Sequence, residues 1–301
     1  PFTKVQYNGF CCSMRSLQGN AQIPTSQILI FAKLEAVGLR EVKASVMTEP
    51  RKIETRSYPY PSVKDDSLLM KIAMCGVCGT DVHLFKGHRL PAGNVPFPFI
   101  PGHEVVGTVE KIGSRANETM KISGGPLKEG DRVLLLGARM CDTCWGCRHF
   151  GGSTLNCSNI FGYGFVECNE PPYLFGGYGE YMYVISNSWI WKIPEEMPWE
   201  VVVLADPLSI GVRAIDRALS VGSLGNNVLL PFQGNVVVQG SGAIGTLAAA
   251  AAKVAGAKQI IMTGAPESRL RLAREMGAVD HTIDVLETQA KELSLIHISE
   301  P

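Results

Sequence analysis

The sequence predicts an α/β protein of two domains, a mostly β domain followed by a doubly wound, parallel one. Two observations predict this order. Short apolar runs separated by glycine and proline fill residues 42–205, whereas strands alternate with helices over residues 206–293. A length of 301 residues suits two domains of roughly 100 to 200 residues each. Residues 1–41 show no sustained hydrophobic period and are expected to form an irregular extension.

The first domain is predicted from apolar runs of strand length. The opening stretch KASVMTEPRKIETRSYPYP indicates a strand, a proline-containing turn and a second strand that ends at proline. Further runs are SLLMKIAM, EVVGTVEKIG, DRVLLLG and GEYMYVI. Because each run is short and bounded by turn residues, the domain is expected to be mostly β.

The second domain is predicted from alternation. Helical spacing follows Asp206, and the strand NVVVQG then precedes a long alanine-rich helix. A second strand, KQIIMTG, leads to a helix from Arg269 to Met276 that Gly277 caps, and VDHTIDV is the third strand. This alternation specifies a parallel, doubly wound sheet. Only three strands are readable where about six are usual, so the domain is predicted to be incomplete.

Composition limits the function classes. Lysine plus arginine and aspartate plus glutamate both number 28, so the chain offers no bulk attraction to nucleic acid or to an anionic membrane. The most apolar stretch, residues 243–257, is too short to span a bilayer, and the start of the chain lacks a secretory apolar run. A cytoplasmic location is therefore expected. In that compartment, the nine cysteines favour metal ligands or buried thiols over disulfides.

Four cysteines form the first chemical motif. Their spacing is C-x2-C-x2-C-x9-C, on a loop after DRVLLLG, and they are Cys141, Cys144, Cys147 and Cys157. Four thiolates close a tetrahedral zinc site, which leaves no open position and so stabilises a loop. A nucleic-acid-binding zinc ribbon usually places two C-x2-C pairs about 15 to 20 residues apart, which this spacing does not match.

The segments MCGVCGTDVH, PGHEVVG and LADPLSIG form a second motif. A catalytic zinc takes three protein ligands from nitrogen, sulfur and oxygen donors and keeps one position open. Cys78, His103 and an acidic group would suffice.

A G-x-G-x-x-G loop forms the third motif. Gly240, Gly242 and Gly245, with Ala243 and Ile244 between the last two, follow an apolar strand and open a helix. The glycines allow a tight turn, close approach of a pyrophosphate and packing of helix on strand, which is typical of a Rossmann dinucleotide site. The free N–H groups at the helix amino terminus then favour the anionic phosphate.

Together these motifs make residues 42–293 resemble the zinc-containing medium-chain dehydrogenase/reductases, nearest to the sorbitol and threonine dehydrogenase branch. The resemblance implies a GroES-like catalytic domain and a Rossmann domain. It also implies that Cys78, His103 and Asp206 hold a catalytic zinc, with Glu104 as the alternative acidic ligand. The family more often has glutamate or cysteine at the position of Asp206, so the third ligand stays open.

The same resemblance implies an enzyme that oxidises an alcohol or polyol, or reduces the matching carbonyl compound, with NAD or NADP. Asp81 would orient His103, and Thr80 and His83 would form a proton relay. A structural zinc and a homo-oligomer, dimer or tetramer, are also implied. The alternative is a dinucleotide-binding protein of the same fold without catalytic activity.

Two departures from the family pattern bear on these expectations. Gly264 stands where an acidic residue usually binds the ribose 2′-hydroxyl of NAD, and Ser268 and Arg269 follow, which leans towards the 2′-phosphate of NADP. The end of the chain does not continue the pattern, so residues 294–301 are expected not to be natural protein and turnover by the chain is expected to be low.

Overall fold

A computed structural model describes residues 40–88, 95–150, 156–222 and 234–287. By contacts the chain divides into two units, residues 1–41 and residues 42–301. The expectations for the irregular extension and for the tail at residues 294–301 fall outside the described residues, apart from residues 40 and 41. All the elements below except the first residue of β1 belong to the second unit.

The first part of this unit is built mainly of β-strands, as predicted. The strands are Glu41–Glu49 (β1), Lys52–Pro59 (β2), Leu68–Gly76 (β3), Glu104–Ile112 (β4), Lys121–Ser123 (β5), Arg132–Leu135 (β6), Ala138–Arg139 (β7), Phe161–Gly162 (β8), Tyr181–Val184 (β9) and Trp189–Lys192 (β10). Six strands form one sheet in the order β5-β10-β6-β4-β3-β9, in which only β5 and β10 are parallel. The pairs β1-β2 and β7-β8 form separate two-stranded sheets.

Among the described residues, four short helices lie between these strands or directly after the last of them. They are Gly79–Phe85 (α1), Ala116–Thr119 (α2), Trp145–Phe150 (α3) and Trp199–Val202 (α4). The core of the sheet is formed by the apolar runs that the sequence analysis identified, with Leu68 and Met70 of β3 and Val105 of β4 fully buried. Helix α1 begins directly after β3, so its first turn lies at the end of the central strands.

The second part alternates helix and strand. Its elements are Ala205–Gly222 (α5), Asn235–Gln239 (β11), Ala243–Val254 (α6), Gln259–Gly264 (β12), Glu267–Glu275 (α7) and His281–Asp284 (β13). β11 and β12 pair in parallel, as do β12 and β13, which confirms the predicted parallel sheet. Gly277 has φ 66°, a left-handed conformation that suits the predicted cap after α7.

Helix α5 packs against α6. A Cβ built on Gly211 of α5 would lie 2.8 Å from the backbone nitrogen of Ala248 and 3.0 Å from its Cα, so the two helix backbones approach closely at this glycine. α5 therefore runs from Ala205, at the end of the β part, onto the helix that follows the glycine-rich loop. Among the described residues, no helix is both long and apolar enough to cross a membrane.

A buried tyrosine joins two loops of the β part. Ser188 donates its hydroxyl proton to the carbonyl of Ile185 at 2.8 Å, so the Tyr163 hydroxyl donates to Ser188 Oγ at 2.8 Å. The Tyr163 oxygen also accepts the Ile185 N–H at 3.0 Å, and the side chain is fully buried. Burial raises the pKa of Tyr163 to about 12, which keeps the hydroxyl a donor at neutral pH.

We predict that Tyr163→Phe lowers the free energy of unfolding by about 1 to 3 kcal/mol, because the Ile185 N–H loses its acceptor and the buried Ser188 hydroxyl loses a donor. Urea titration followed by circular dichroism measures this change. Tyr58→Phe is the matched control, since the buried Tyr58 hydroxyl donates to the Cys168 sulfur, a weak acceptor. Equal losses in the two variants would contradict the account.

Candidate functional site

The first turn of α1 holds one candidate ligand. Cys78 is the N-cap residue, with φ −78° and ψ 154°, and its N–H donates to Asp81 Oδ2 at 2.9 Å. The Cys78 thiol donates to Thr80 Oγ1 at 3.6 Å. Asp81 is 4% exposed, so a buried carboxylate fixes the backbone of the cysteine at the start of the helix.

His103 reaches the same place from the turn before β4. Gly102 has φ 94°, and its N–H donates to the other oxygen of Asp81 at 3.3 Å. The His103 ring stacks on Phe165, with ring centroids 4.9 Å apart. Its Nδ1 lies 3.8 Å from Asp81 Oδ1, and among the described residues it is a buried nitrogen without a hydrogen-bond partner. Asp81 therefore ties together the turns that carry Cys78 and His103.

Glu104, with Cys78 and His103, completes a group of three candidate metal ligands, called here the three-residue group. It is the first residue of β4 and pairs with Gly76, the last residue of β3. One ligand atom each from Cys78, His103 and Glu104 all lie within 4.8 Å of one another. A thiolate, an imidazole and a carboxylate are the donors of a catalytic zinc with an open position, so these residues fit that metal.

Electrostatics around the group favours a bound cation. Burial raises the pKa of Glu104, and the charge of Asp206 raises it further. Burial also raises the pKa of Asp206, against the influence of His103. The hydrogen bond with His103 lowers the pKa of the Cys78 thiol, despite partial burial. For His103, burial alone would lower the pKa, but Cys78 and the charge of Asp81 together raise it. Two carboxylates that share a buried site are stabilised by a divalent cation.

The remaining predicted residues take different places. Asp206 lies in the first turn of α5, close enough to interact electrostatically with His103 but outside the three-residue group. Thr80 lies beside the Cys78 sulfur. His83 is exposed on α1, and its Nδ1 hydrogen-bonds with Nδ1 of His88 at 3.0 Å. The sequence analysis did not identify His88 as a partner of His83. The spacing of five residues, across the end of a short helix, could have indicated that the two rings lie close together.

The four predicted cysteines come together. The Cys141 sulfur is 3.6 Å from that of Cys157 and 3.9 Å from that of Cys147, and the four sulfurs lie within 4.8 Å of one another. A tetrahedral site with Zn–S bonds of about 2.3 Å separates its sulfurs by about 3.8 Å. Backbone N–H groups of Cys141, Cys144 and Cys147 donate to these sulfurs. The cluster therefore fits one zinc ion.

Thiolate formation is favoured at Cys141 and Cys144, whose pKa values are lowered by hydrogen bonds, whereas burial raises the pKa of Cys147 to about 12. Hydrogen bonds from Thr143 and from the Cys144 N–H lower the pKa of Cys141 to about 5. Zinc binds thiolates, so this cysteine is prepared for the metal at neutral pH.

The glycine-rich loop has the predicted geometry. Gly240 has φ 107°, and Gly242 is the N-cap of α6. A Cβ on Gly245 would overlap the carbonyl oxygen of Gly240, so only glycine allows the helix to pack this closely on the turn. Ala243 and Ile244 form the first turn of α6. Gly242 provides no side-chain cap, so the first N–H groups of α6 are available to an anion such as a pyrophosphate.

Gly264, the last residue of β12, has no room for a side chain. A Cβ at this position would lie 2.5 Å from Ser241 Oγ and 2.7 Å from Ser241 Cβ. Ser241 is buried and donates to the Ala265 carbonyl at 3.1 Å. The loop serine thus fills the space that an acidic side chain would need. Ser268 and Arg269 are exposed in the first turn of α7.

Comparison with known proteins agrees with this geometry. Residues 64–195 match the family described as the alcohol dehydrogenase GroES-like domain. A Mycobacterium tuberculosis protein named as an alcohol dehydrogenase is 37% identical over 251 residues, covering 81% of this chain and 62% of the relative. Sorbitol dehydrogenase of Bacillus subtilis is 30% identical over 254 residues, covering 84% and 64%. The chain thus spans less than two thirds of the length of these relatives.

Solved structures show the same likeness. An alcohol dehydrogenase from Thermotoga maritima has a TM-score of 0.73 and 26% identity, over 86% of this chain and 68% of its own. A zinc-binding dehydrogenase from Sinorhizobium meliloti, bound to NADP, has a TM-score of 0.67 and 25% identity, over 84% and 64%. On this sequence and fold evidence, the chain belongs to the medium-chain dehydrogenase/reductase family and contains its alcohol dehydrogenase GroES-like domain.

Proposed function

We propose that this chain comes from a zinc-dependent oxidoreductase that transfers hydride between a secondary alcohol or polyol, or its ketone or aldehyde, and NAD(P). The observation that carries the proposal is the group of Cys78, His103 and Glu104. Asp206 of α5 interacts electrostatically with Glu104 of this group. α5 also packs on α6, the helix that follows the glycine-rich loop. A metal-binding group and a dinucleotide loop are therefore joined by one helix.

The relatives support the substrate class. Their names include alcohol dehydrogenase, sorbitol dehydrogenase and L-threonine 3-dehydrogenase. In all three named substrates the reacting carbon carries a hydroxyl group. A small alcohol or polyol is accordingly the proposed substrate, and the equal numbers of acidic and basic residues give no support to a nucleic-acid partner.

Cys78 and His103 would hold the catalytic zinc with Glu104 or Asp206 as the acidic ligand. Zinc supplies a Lewis acid for the alcohol oxygen, and nicotinamide accepts the hydride. Thr80, whose hydroxyl lies 3.6 Å from the Cys78 sulfur, would accept the alcohol proton and pass it to His83. The exposed His83 ring can pass a proton on through His88 to solvent. Asp81 holds the two ligand-bearing turns in register.

The four-cysteine cluster would hold a second, structural zinc. Four thiolate ligands leave no position for substrate, so the metal fixes the loop around α3. The seven cysteines among the described residues are all free thiols, which supports a reducing, cytoplasmic location. We also infer a homo-oligomer, dimer or tetramer, for the full-length protein.

The coenzyme is proposed to be NADP, with NAD as the alternative. Gly264 leaves no room for the acidic side chain that binds a ribose 2′-hydroxyl. Arg269 and Ser268, exposed a few residues further on, are suited to a 2′-phosphate.

We predict that Cys78→Ser removes one of two zinc ions per chain and abolishes turnover of alcohols, because the open site loses its sulfur ligand. Elemental analysis measures zinc, and NAD(P)H absorbance with a panel of secondary alcohols and polyols measures turnover. The control is Cys168→Ser, a buried cysteine outside both clusters, which keeps both zinc ions. Coenzyme binding by a wild-type chain that oxidises no alcohol would instead favour a non-catalytic dinucleotide-binding protein.

We further predict that Arg269→Ala raises the Kd for NADPH roughly 10-fold and leaves that for NADH nearly unchanged, because one charge-assisted contact to phosphate is lost. Quenching of protein fluorescence by each coenzyme gives both constants. Arg271→Ala is the control, since Arg271 is exposed on the same helix and pairs with Glu275. Equal weakening of both coenzymes would argue against a 2′-phosphate contact.

A further inference from the structure

We propose that Gly76 is a positioning residue: the space left by its missing side chain admits the Glu104 carboxylate to the Cys78 and His103 group. Gly76 thereby decides which acidic residue completes the site. The inference rests on the metal site of the proposed function and adds a residue that contributes no ligand atom itself.

The register of the central strands creates this arrangement. Gly76 and Glu104 are paired residues at the end of β3 and the start of β4. A Cβ built on Gly76 would overlap the Glu104 carboxylate and would lie 3.0 Å from Glu104 Cβ and 3.1 Å from its Cδ. The Glu104 side chain therefore lies across the backbone of Gly76, in the volume that any other residue would fill.

An alanine at this position would act on Glu104 and not on the sheet. The overlapping atom belongs to the end of a flexible side chain, which can rotate away at small cost. Gly107 of β4 differs from Gly76, because a Cβ at Gly107 would overlap the backbone carbonyl oxygen of Lys71 on the neighbouring strand. Gly76 is a strand residue outside the left-handed region, so its backbone accepts alanine without strain. Gly76→Ala is thus expected to displace one carboxylate selectively.

Displacement of Glu104 changes the choice between two acidic ligands. Glu104 lies within the three-residue group, whereas Asp206 interacts with it from outside, at the start of α5. With glycine at position 76, the β4 carboxylate has direct access to the metal. With alanine, Cys78 and His103 remain and Asp206 is the nearby acidic group.

The test is a double-mutant cycle on zinc affinity, measured by competition of the more labile zinc with a chromophoric chelator. We expect Gly76→Ala and Glu104→Gln each to weaken binding of this zinc roughly 10- to 100-fold. The double variant should bind no more weakly than Glu104→Gln alone, because Gly76 acts only through Glu104. The visible spectrum of Co²⁺ at this site should also change alike in both single variants.

Gly79→Ala is the matched control, since a Cβ at Gly79 meets no atom within 4 Å although the residue adjoins Cys78. It should keep wild-type zinc affinity. Additive losses in the double variant, or unchanged affinity in Gly76→Ala, would overturn the inference alone. So would a melting temperature lowered in Gly76→Ala as much as in Gly107→Ala. A wild-type chain that holds only the four-cysteine zinc would overturn the proposed function as well.

Discussion

The antiparallel pairing of β3 with β4 is the constraint on which the site depends. Residues 78 and 103 are far apart in sequence, and the pairing of Gly76 with Glu104 brings the ends of their strands together. Cys78 then follows one strand and His103 precedes the other. Asp81 reinforces the junction by accepting N–H bonds from both turns. The apolar core formed by the same two strands supports this junction.

A second constraint is the path of α5. This helix begins beside the metal-binding group and continues to a close contact with α6 at Gly211. α5 therefore fixes the position of α6, the helix that would bind the pyrophosphate, relative to the β part. The proposed transfer of hydride from an alcohol carbon to a nicotinamide ring needs a fixed distance between two separately built sites, and α5 connects the elements that carry them.

Much of this could be predicted from sequence where spacing alone identifies the chemistry. The four cysteines and the glycine-rich loop are local motifs, so their geometry follows from a few consecutive residues. The parallel order of the last three strands was predicted for the same reason, since alternation with helices fixes it. The approach of Cys78 to His103 depends on a non-local register; donor chemistry and the family resemblance indicated the pair, but the local sequence does not fix its geometry. The steric roles of Gly264 and Gly76 were not predictable, because each depends on the side chain of a residue distant in sequence.

The choice between Glu104 and Asp206 as the acidic ligand was left open by the sequence. The structure places Glu104 within the group and Asp206 just outside it, with both carboxylates buried enough for their pKa values to rise. Zinc X-ray absorption spectroscopy of the purified chain tests the central claim most directly. Two zinc environments should give a sulfur shell at about 2.3 Å together with a nitrogen and oxygen shell at about 2.0 to 2.1 Å. A spectrum fitted by sulfur alone, with one zinc per chain, would contradict the existence of the open site.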